Sequence, residues 1–292
     1  MSYLLIVSAV WAFSFVIIKG TLSGLDSGFV ALARMTLSAA VFLPLLRLRG
    51  VSRPIALRLA GIGALQFGVM YVAYISAFRQ LPAHMVALLT TTTPILVALF
   101  DDLLDRSLHP VFLAAAALAV AAGAVIQYPD QPLSSSLLGV ALVQVSNVAF
   151  AAGQVLYKRQ MALGPQLRDR DVFGLLYAGA FAVTAAASLA MTDYASLQVS
   201  GKQIGALLYL GLVASGLCFF LWNLGARRVN TGTLAILNNL KIPLGIAASL
   251  AILGERTSLP RLAAALALMG AALFICERRA RLGPRAQPTL GS

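Results

Sequence analysis

Leu237-Asn238-Asn239-Leu240-Lys241-Ile242-Pro243 lies inside an apolar run from about Thr231 to Leu253. A helix of roughly 20 apolar residues crosses a bilayer, and this run is long enough. A charged group at membrane depth costs at least roughly 2.5–3.5 kcal/mol, so Lys241 needs a partner or a task. Pro243 removes an N–H and pushes away the carbonyl one turn back, freeing backbone oxygens. A cation, two amides and a loosened backbone together read as a place where a polar solute is held.

The rest of the chain has the same apolar character. Of 292 residues, 60% are hydrophobic and 11% charged. Soluble domains are nearer half apolar and a quarter charged. The sequence is therefore that of a polytopic membrane protein. The net charge of +12 does not indicate nucleic acid, because no basic run is interleaved with aromatics. It reflects Lys and Arg gathered in short loops on one side of the membrane. Cys218 and Cys276 fall in apolar runs, and neither a metal-ligand spacing nor a cofactor motif is present. Met1 to Leu22 lacks a basic n-region and reads as a retained first span.

Hydropathy breaks give ten spans: about 3–22, 28–47, 58–78, 83–103, 110–127, 137–157, 172–191, 203–226, 231–253 and 260–277. Turn chemistry marks the breaks at Gly24-Leu25-Asp26-Ser27-Gly28, Pro129-Asp130-Gln131-Pro132 and Asn230-Thr231-Gly232. With the N-terminus inside, fifteen basic loop residues fall on the cytoplasmic side and five outside. Arg34 and Lys241 are left within spans. Both termini are expected in the cytoplasm, in the cell (inner) membrane.

The two halves of the chain resemble each other. Leu89-Thr90-Thr91-Thr92-Thr93-Pro94 in span four matches Leu237–Pro243 in span nine, one residue shorter. Asp105-Arg106 before Pro110 matches Glu255-Arg256 before Pro260, and Lys19 ends span one as Lys158 ends span six. Five spans is an odd number, so the halves must run in opposite directions. The expected fold is an all-α integral membrane protein of ten transmembrane helices, built as two inverted-topology five-helix repeats. Residues 1–128 form the first repeat, 137–277 the second, and 278–292 a basic cytoplasmic tail. Interrupted helices are expected at matching positions, with breaks at Pro94 and Pro243.

These residues resemble the drug/metabolite transporter superfamily, of the ten-span EamA-like type. The resemblance rests on Trp11-Ala12-Phe13-Ser14-Phe15-Val16-Ile17-Ile18-Lys19, on Ala33-Arg34, on Gly254-Glu255-Arg256 and on the paired proline-centred spans. The first-half counterpart of Gly-Glu-Arg departs, reading Leu104-Asp105-Arg106. The group most similar is that of carboxylate, amino acid and amine transporters. The resemblance implies a secondary carrier for small metabolites in the cell membrane, in many members an exporter.

Several residues are candidates for substrate contact. Lys241 and Asn238 are three apart and share a helix face, suiting an anionic head group. The alternative for Lys241 is bonding to freed carbonyls, or snorkelling. Asn239 points elsewhere and either joins the site or ties helices. Thr90 aligns with Asn238 across the repeat, although threonines often bond their own backbone. Gln144, Asn147, Gln154 and Lys158 form a polar stripe on span six, either lining a path or bonding between helices. Tyr71, Tyr74 and Phe78 on span three and Phe219, Trp222 and Asn223 on span eight offer aromatic walls or packing. Trp11 lies mid-span, too deep for an interface belt. Arg34 reads as a structural bridge to Asp26 or to carbonyls. Asp101 and Asp102 read as a water-exposed pair at a helix end.

The function expected is secondary transport of small polar or zwitterionic metabolites, such as amino acids, carboxylates or amines. Alternating access would run around a site between spans four and nine. The expected partners are a small-molecule substrate and the lipid bilayer. An embedded enzyme is disfavoured, because His84 and His109 sit at span ends and no catalytic set is paired. A non-transporting scaffold or sensor is the remaining alternative, and it gives no role to a buried lysine.

Overall fold

The computed structural model describes residues 1–22, 24–81, 83–127, 136–163, 167–253 and 259–282. Gly254-Glu255-Arg256, the Pro129–Pro132 turn, the end of the basic tail and the side chains of Lys19 and His84 lie outside the described residues. Every regular element described is helical. In chain order they are α1 (Ser2–Thr21), α2 (Ser27–Phe42), α3 (Arg53–Ala77), α4 (Ala83–Thr90), α5 (Thr93–Asp105) and α6 (Pro110–Gln127). There follow α7 (Leu137–Leu163), α8 (Asp169–Met191), α9 (Gly201–Ala226), α10 (Thr231–Leu253) and α11 (Leu259–Leu282).

The chain is an all-α membrane protein. Six described helical segments are long and apolar enough to cross a bilayer by length and composition. Large apolar side chains such as Leu57, Leu189 and Phe274 point outward, as a lipid-facing surface allows.

Local sequence chemistry sets the helix ends. Asp26 caps α2 by accepting from the backbone N–H groups of Gly28 and Phe29, which have no intrahelical partner. Ser200 and Gln203 form a reciprocal capping box on α9. Pro94 stands in the first turn of α5, where its missing N–H costs nothing.

Span four is broken, at Thr91-Thr92 rather than at Pro94, but span nine is not. The break between α4 and α5 falls at Thr91-Thr92. There the hydroxyls of Thr91, Thr92 and Thr93 donate to the carbonyls of Leu88, Leu89 and Thr90 at 2.6, 2.9 and 2.8 Å. By contrast, α10 runs unbroken through Pro243, which corrects the expected second break. One proline removes a single helical bond, and α10 is held along its length by α1, α5, α6 and α11.

Two interruptions were not anticipated. Ala64–Val69 within α3 and Tyr209–Leu217 within α9 are π-helical. Such turns widen a helix and leave carbonyls in irregular positions.

The packing pairs the halves. α1 lies on α9 and α10; α7 lies on α3, α4 and α5. α3 lies on α8, and α9 on α2; α2 meets α8, α5 meets α10, and α6 meets α11. Small residues allow the closest of these approaches. A Cβ on Gly179 of α8 would stand 1.9 Å from the Ala60 carbonyl oxygen of α3, and one on Gly63 would stand 2.0 Å from that of Leu176. The core between them is aromatic: Phe67 stacks on Phe219 at 4.5 Å and on Tyr177 at 5.6 Å.

Two outcomes follow from these contacts. Gly179→Val presses a side chain onto backbone that cannot rotate away. It is expected to destabilise the protein by roughly 1–3 kcal/mol, read as a lower unfolding temperature in detergent. The second concerns the α2 cap. Burial raises the Asp26 pKa, but hydrogen bonds from Thr192, Phe29 and Gly28 and the Arg79 guanidinium outweigh it and hold the carboxyl below 3.8. Its stabilisation is present above that ordinary value and is lost as pH falls through the depressed folded value. Asp26→Asn should remove this part of the acid sensitivity, measured by unfolding temperature against pH.

Candidate functional site

α1, α2, α3, α4, α5, α7, α9 and α10 all contribute to one cavity. It encloses about 730 Å³ of empty space, including the part that meets solvent. Trp11, Phe150, Phe219, Tyr71, Tyr74 and Met70 supply apolar walls; Ser14, Thr90, Thr93, Ser146 and Asn147 supply neutral polar groups.

Two cations face this space. Lys241 Nζ lies 5.4 Å from the Trp11 ring and 5.9 Å from the Phe150 ring, within cation–π range. The Arg34 guanidinium lies 4.5 Å from the Tyr71 ring centre, and its Nε donates to Ser215 Oγ at 3.0 Å. Among the described residues no carboxylate pairs with Lys241 or Arg34. Asp26 is occupied by Arg79 and Thr192, so the expected Arg34–Asp26 bridge is replaced by the contacts to Ser215 and Tyr71.

The π-helical turn of α9 frames one wall. Trp11 Nε1 donates to the Ala214 carbonyl at 2.8 Å. Tyr177 Oη donates to the Ser215 and Gly216 carbonyls, both at 2.8 Å. Tyr71 Oη and Ser215 Oγ are 3.2 Å apart. An indole and two phenols are thus fixed by, or beside, carbonyls that a regular helix would have used internally.

Of the residues singled out from sequence as candidates for substrate contact, Lys241, Trp11, Thr90, Asn147, Tyr71, Tyr74 and Phe219 meet around this cavity. Others sit behind it. Trp222 packs 5.0 Å behind Trp11, and its Nε1 donates to Gln154 Oε1 at 3.0 Å. Asn238 turns to the same Gln154 oxygen at 3.4 Å, so it does not join Lys241 in the cavity. Asn239 Nδ2 donates to the carbonyls of Thr91 and Ala119 at 2.9 and 3.1 Å, tying α10 to the α4–α5 break and to α6. Gln144 accepts from Thr92. Asn147 both lines the cavity and donates to the Leu89 carbonyl at 2.9 Å.

Asp101 and Asp102 are not a free, water-exposed pair. Asp101 accepts from Arg159 at 3.0 Å and from Thr231, and Asp102 holds His109 at 2.6 Å. Lys158 donates to the Val229 carbonyl at 3.3 Å.

Phe150 is a cavity residue that sequence reasoning passed over, Arg34 is one that it read as a structural bridge, and Ser215 is an unanticipated partner of Arg34. For Arg34 the signal was present, as a cation inside an apolar run. For Ser215 it was not, because nothing in the sequence announces a π-helical turn.

An all-helical membrane fold that holds a cationic, aromatic cavity suits a transporter. Comparisons with known proteins agree. The EamA-like transporter family matches residues 1–128 and 137–276, and the chain belongs to that family. A protein of Pseudomonas aeruginosa named "Probable biotin transporter" is 44% identical over 277 residues, covering 94% of this chain and 96% of its own. A "Biotin transporter" of Salmonella typhimurium is 37% identical, with 99% and 96% covered. That of Escherichia coli K12 is 36% identical, again with 99% and 96% covered. One crystal structure superposes with a TM-score of 0.77 at 21% identity, over 96% of this chain and 97% of its own, a likeness of fold.

Asn147→Leu removes the donor to the Leu89 carbonyl at the α4–α5 break. That carbonyl keeps the Thr92 hydroxyl, so the loss is that of one hydrogen bond, about 0.5–1.5 kcal/mol. The variant is expected to unfold at a lower temperature than the wild type, while Val148→Leu on the exposed face of α7 leaves it unchanged.

Proposed function

We propose that this protein is a secondary carrier for biotin or a closely similar ring-bearing carboxylate, in the inner membrane with both termini in the cytoplasm. The observation that carries the reading is the pair of cations, Lys241 and Arg34, in one aromatic-walled cavity, with no carboxylate among the described residues paired to either. A buried cation without an anion is costly. A substrate carboxylate would supply the missing charge and gain strong, charge-assisted hydrogen bonds. The apolar body of the same solute would lie against Trp11, Phe150 and Phe219. Biotin has that division, with a carboxylate at the end of an alkyl chain and a compact bicycle at the other end. Full-length relatives named biotin transporters support the same choice.

The proposed motion is alternating access, one repeat rocking against the other about the cavity. Two repeats running in opposite directions are supported by three observations. The family matches two successive segments. The π-helical turns fall in corresponding helices, α3 and α9. The neighbours of α1 and α7 correspond when the halves are exchanged.

Labelled biotin in liposomes holding the purified protein tests the reading, with uptake and efflux measured separately. Transport above empty vesicles is expected. Lys241→Met should lower it roughly ten-fold or more, while Lys241→Arg retains part of it. Wild-type vesicles no better than empty ones would overturn the assignment.

A further inference from the structure

One turn further along α7 and α9 from Phe150 and Phe219, and one turn back along α10 from Lys241, lies a layer of buried amides. It consists of Gln66 from the π-helical turn of α3, Gln154 from α7, Asn223 from α9 and Asn238 from α10. All four are at most 1% exposed. Gly153 makes room for Gln66 beside Gln154: a Cβ on Gly153 would stand 2.3 Å from Gln66 Cβ.

The orientation of each amide follows from its partners. Trp222 Nε1 can only donate, so Gln154 turns Oε1 toward it, and the same oxygen receives Asn238 Nδ2. Asn223 Nδ2 donates to the Phe219 carbonyl at 2.9 Å, which leaves its Oδ1 to accept from Gln66 Nε2 at 3.2 Å. Turning any one of these amides over would set donor against donor or acceptor against acceptor. Three buried atoms of this layer have no partner among the described residues: Gln66 Oε1, Asn238 Oδ1 and Gln154 Nε2. Unpaired polar atoms at this depth are expensive, and several in one layer call for an explanation.

The unpaired set is two acceptors and one donor. A cyclic urea presents the complement, two N–H donors and one carbonyl acceptor. We propose that this amide layer is a binding station for the ureido head of the substrate, reached when the aromatic floor of Trp11, Phe150 and Phe219 parts. The proposal rests on the biotin reading and deepens it. Lys241 and Arg34 hold the carboxylate end, and the amide layer selects the ring. Gln154 is the specificity-determining residue, because its Nε2 is the one unpaired donor.

The test is ligand binding to the purified full-length protein, followed by the fluorescence of its two tryptophans. The probes are biotin, desthiobiotin (ureido ring kept), lipoate (a ring-bearing carboxylate without a urea) and 2-iminobiotin, whose guanidinium replaces the carbonyl acceptor by a donor. The wild type is expected to bind biotin and desthiobiotin about ten-fold or more tighter than lipoate. Gln154→Glu keeps the oxygen that serves Trp222 and Asn238 and turns the unpaired donor into an acceptor. It should shift preference from biotin to 2-iminobiotin by about ten-fold or more, with lipoate within about two-fold of its wild-type affinity. Equal wild-type affinity for biotin and lipoate would overturn this inference alone, and that comparison needs no variant. A Gln154→Glu protein that weakens all four solutes alike would mark the layer as a structural knot. Binding of none of the four by the wild type would overturn the reading of the cavity as well.

Discussion

A lysine and an arginine held inside an apolar bundle, with no acid among the described residues opposite either, are the constraint on which the rest of this structure depends. A positive charge taken out of water is tolerated when aromatic faces, hydroxyls or a visiting anion replace its hydration. Lys241 has the rings of Trp11 and Phe150, and Arg34 has Tyr71 and Ser215. Those are partial replacements: they attract a cation without neutralising it. The cavity therefore keeps a net demand for negative charge, and its aromatic lining limits which anions satisfy it. A small, fully hydrated anion gains little from Trp11 and Phe219. A carboxylate with an apolar body gains from both.

The backbone irregularities serve that demand. The break between α4 and α5 brings Thr90 and Thr93 to the cavity and turns the Thr91 carbonyl to Asn239. The π-helical turn of α9 exposes the Ala214 carbonyl to Trp11 and carries Ser215 to Arg34. Irregular backbone at membrane depth is tolerated only where protein groups or a wet cavity satisfy it. Both irregularities meet that condition around one space. Pro243 does not, and there the helix stays regular.

Much of this was legible in the sequence, and the limits are physical. Long apolar runs, their turns and the side of the basic loops follow from the cost of exposing polar groups to lipid, which acts residue by residue. Lys241 and Trp11 stood out for the same reason. What could not be read was which neutral polar residue faces the cavity and which faces a neighbouring helix. Asn238 and Lys241 share a helix face by spacing, yet one turns to Gln154 and the other to Trp11. That choice depends on the rotamer and on the helix opposite. For Gln144 and Trp222 spacing likewise left lining and packing both open, and the two bond Thr92 and Gln154. The π-helical turns lie beyond periodicity altogether, since they are defined by a shift in register that close contacts with α2 and α8 help to fix.

The polar ties at the two ends of the bundle bear on how it would move. At the end where α2 begins, Asp26 gathers Arg79 and Thr192, joining α2, α3 and α8. At the other end, Arg159 of α7 bonds Asp101 and Asp105 of α5, and Asp101 also takes the Thr231 hydroxyl of α10. A second tie there, Arg227 to Asp169 at 2.5 Å with Tyr157 on the same carboxylate, joins α7, α8 and α9. The second set therefore binds α5 and α10, the helices that flank the cavity, to each other and to α7. The first set leaves both of them untouched. Separating α5 from α10 at the Asp101 end means breaking charge-assisted bonds, a cost that the described ties at the Asp26 end do not impose. An unequal cost at the two ends is what a carrier needs if one side is to stay shut while the other admits its solute.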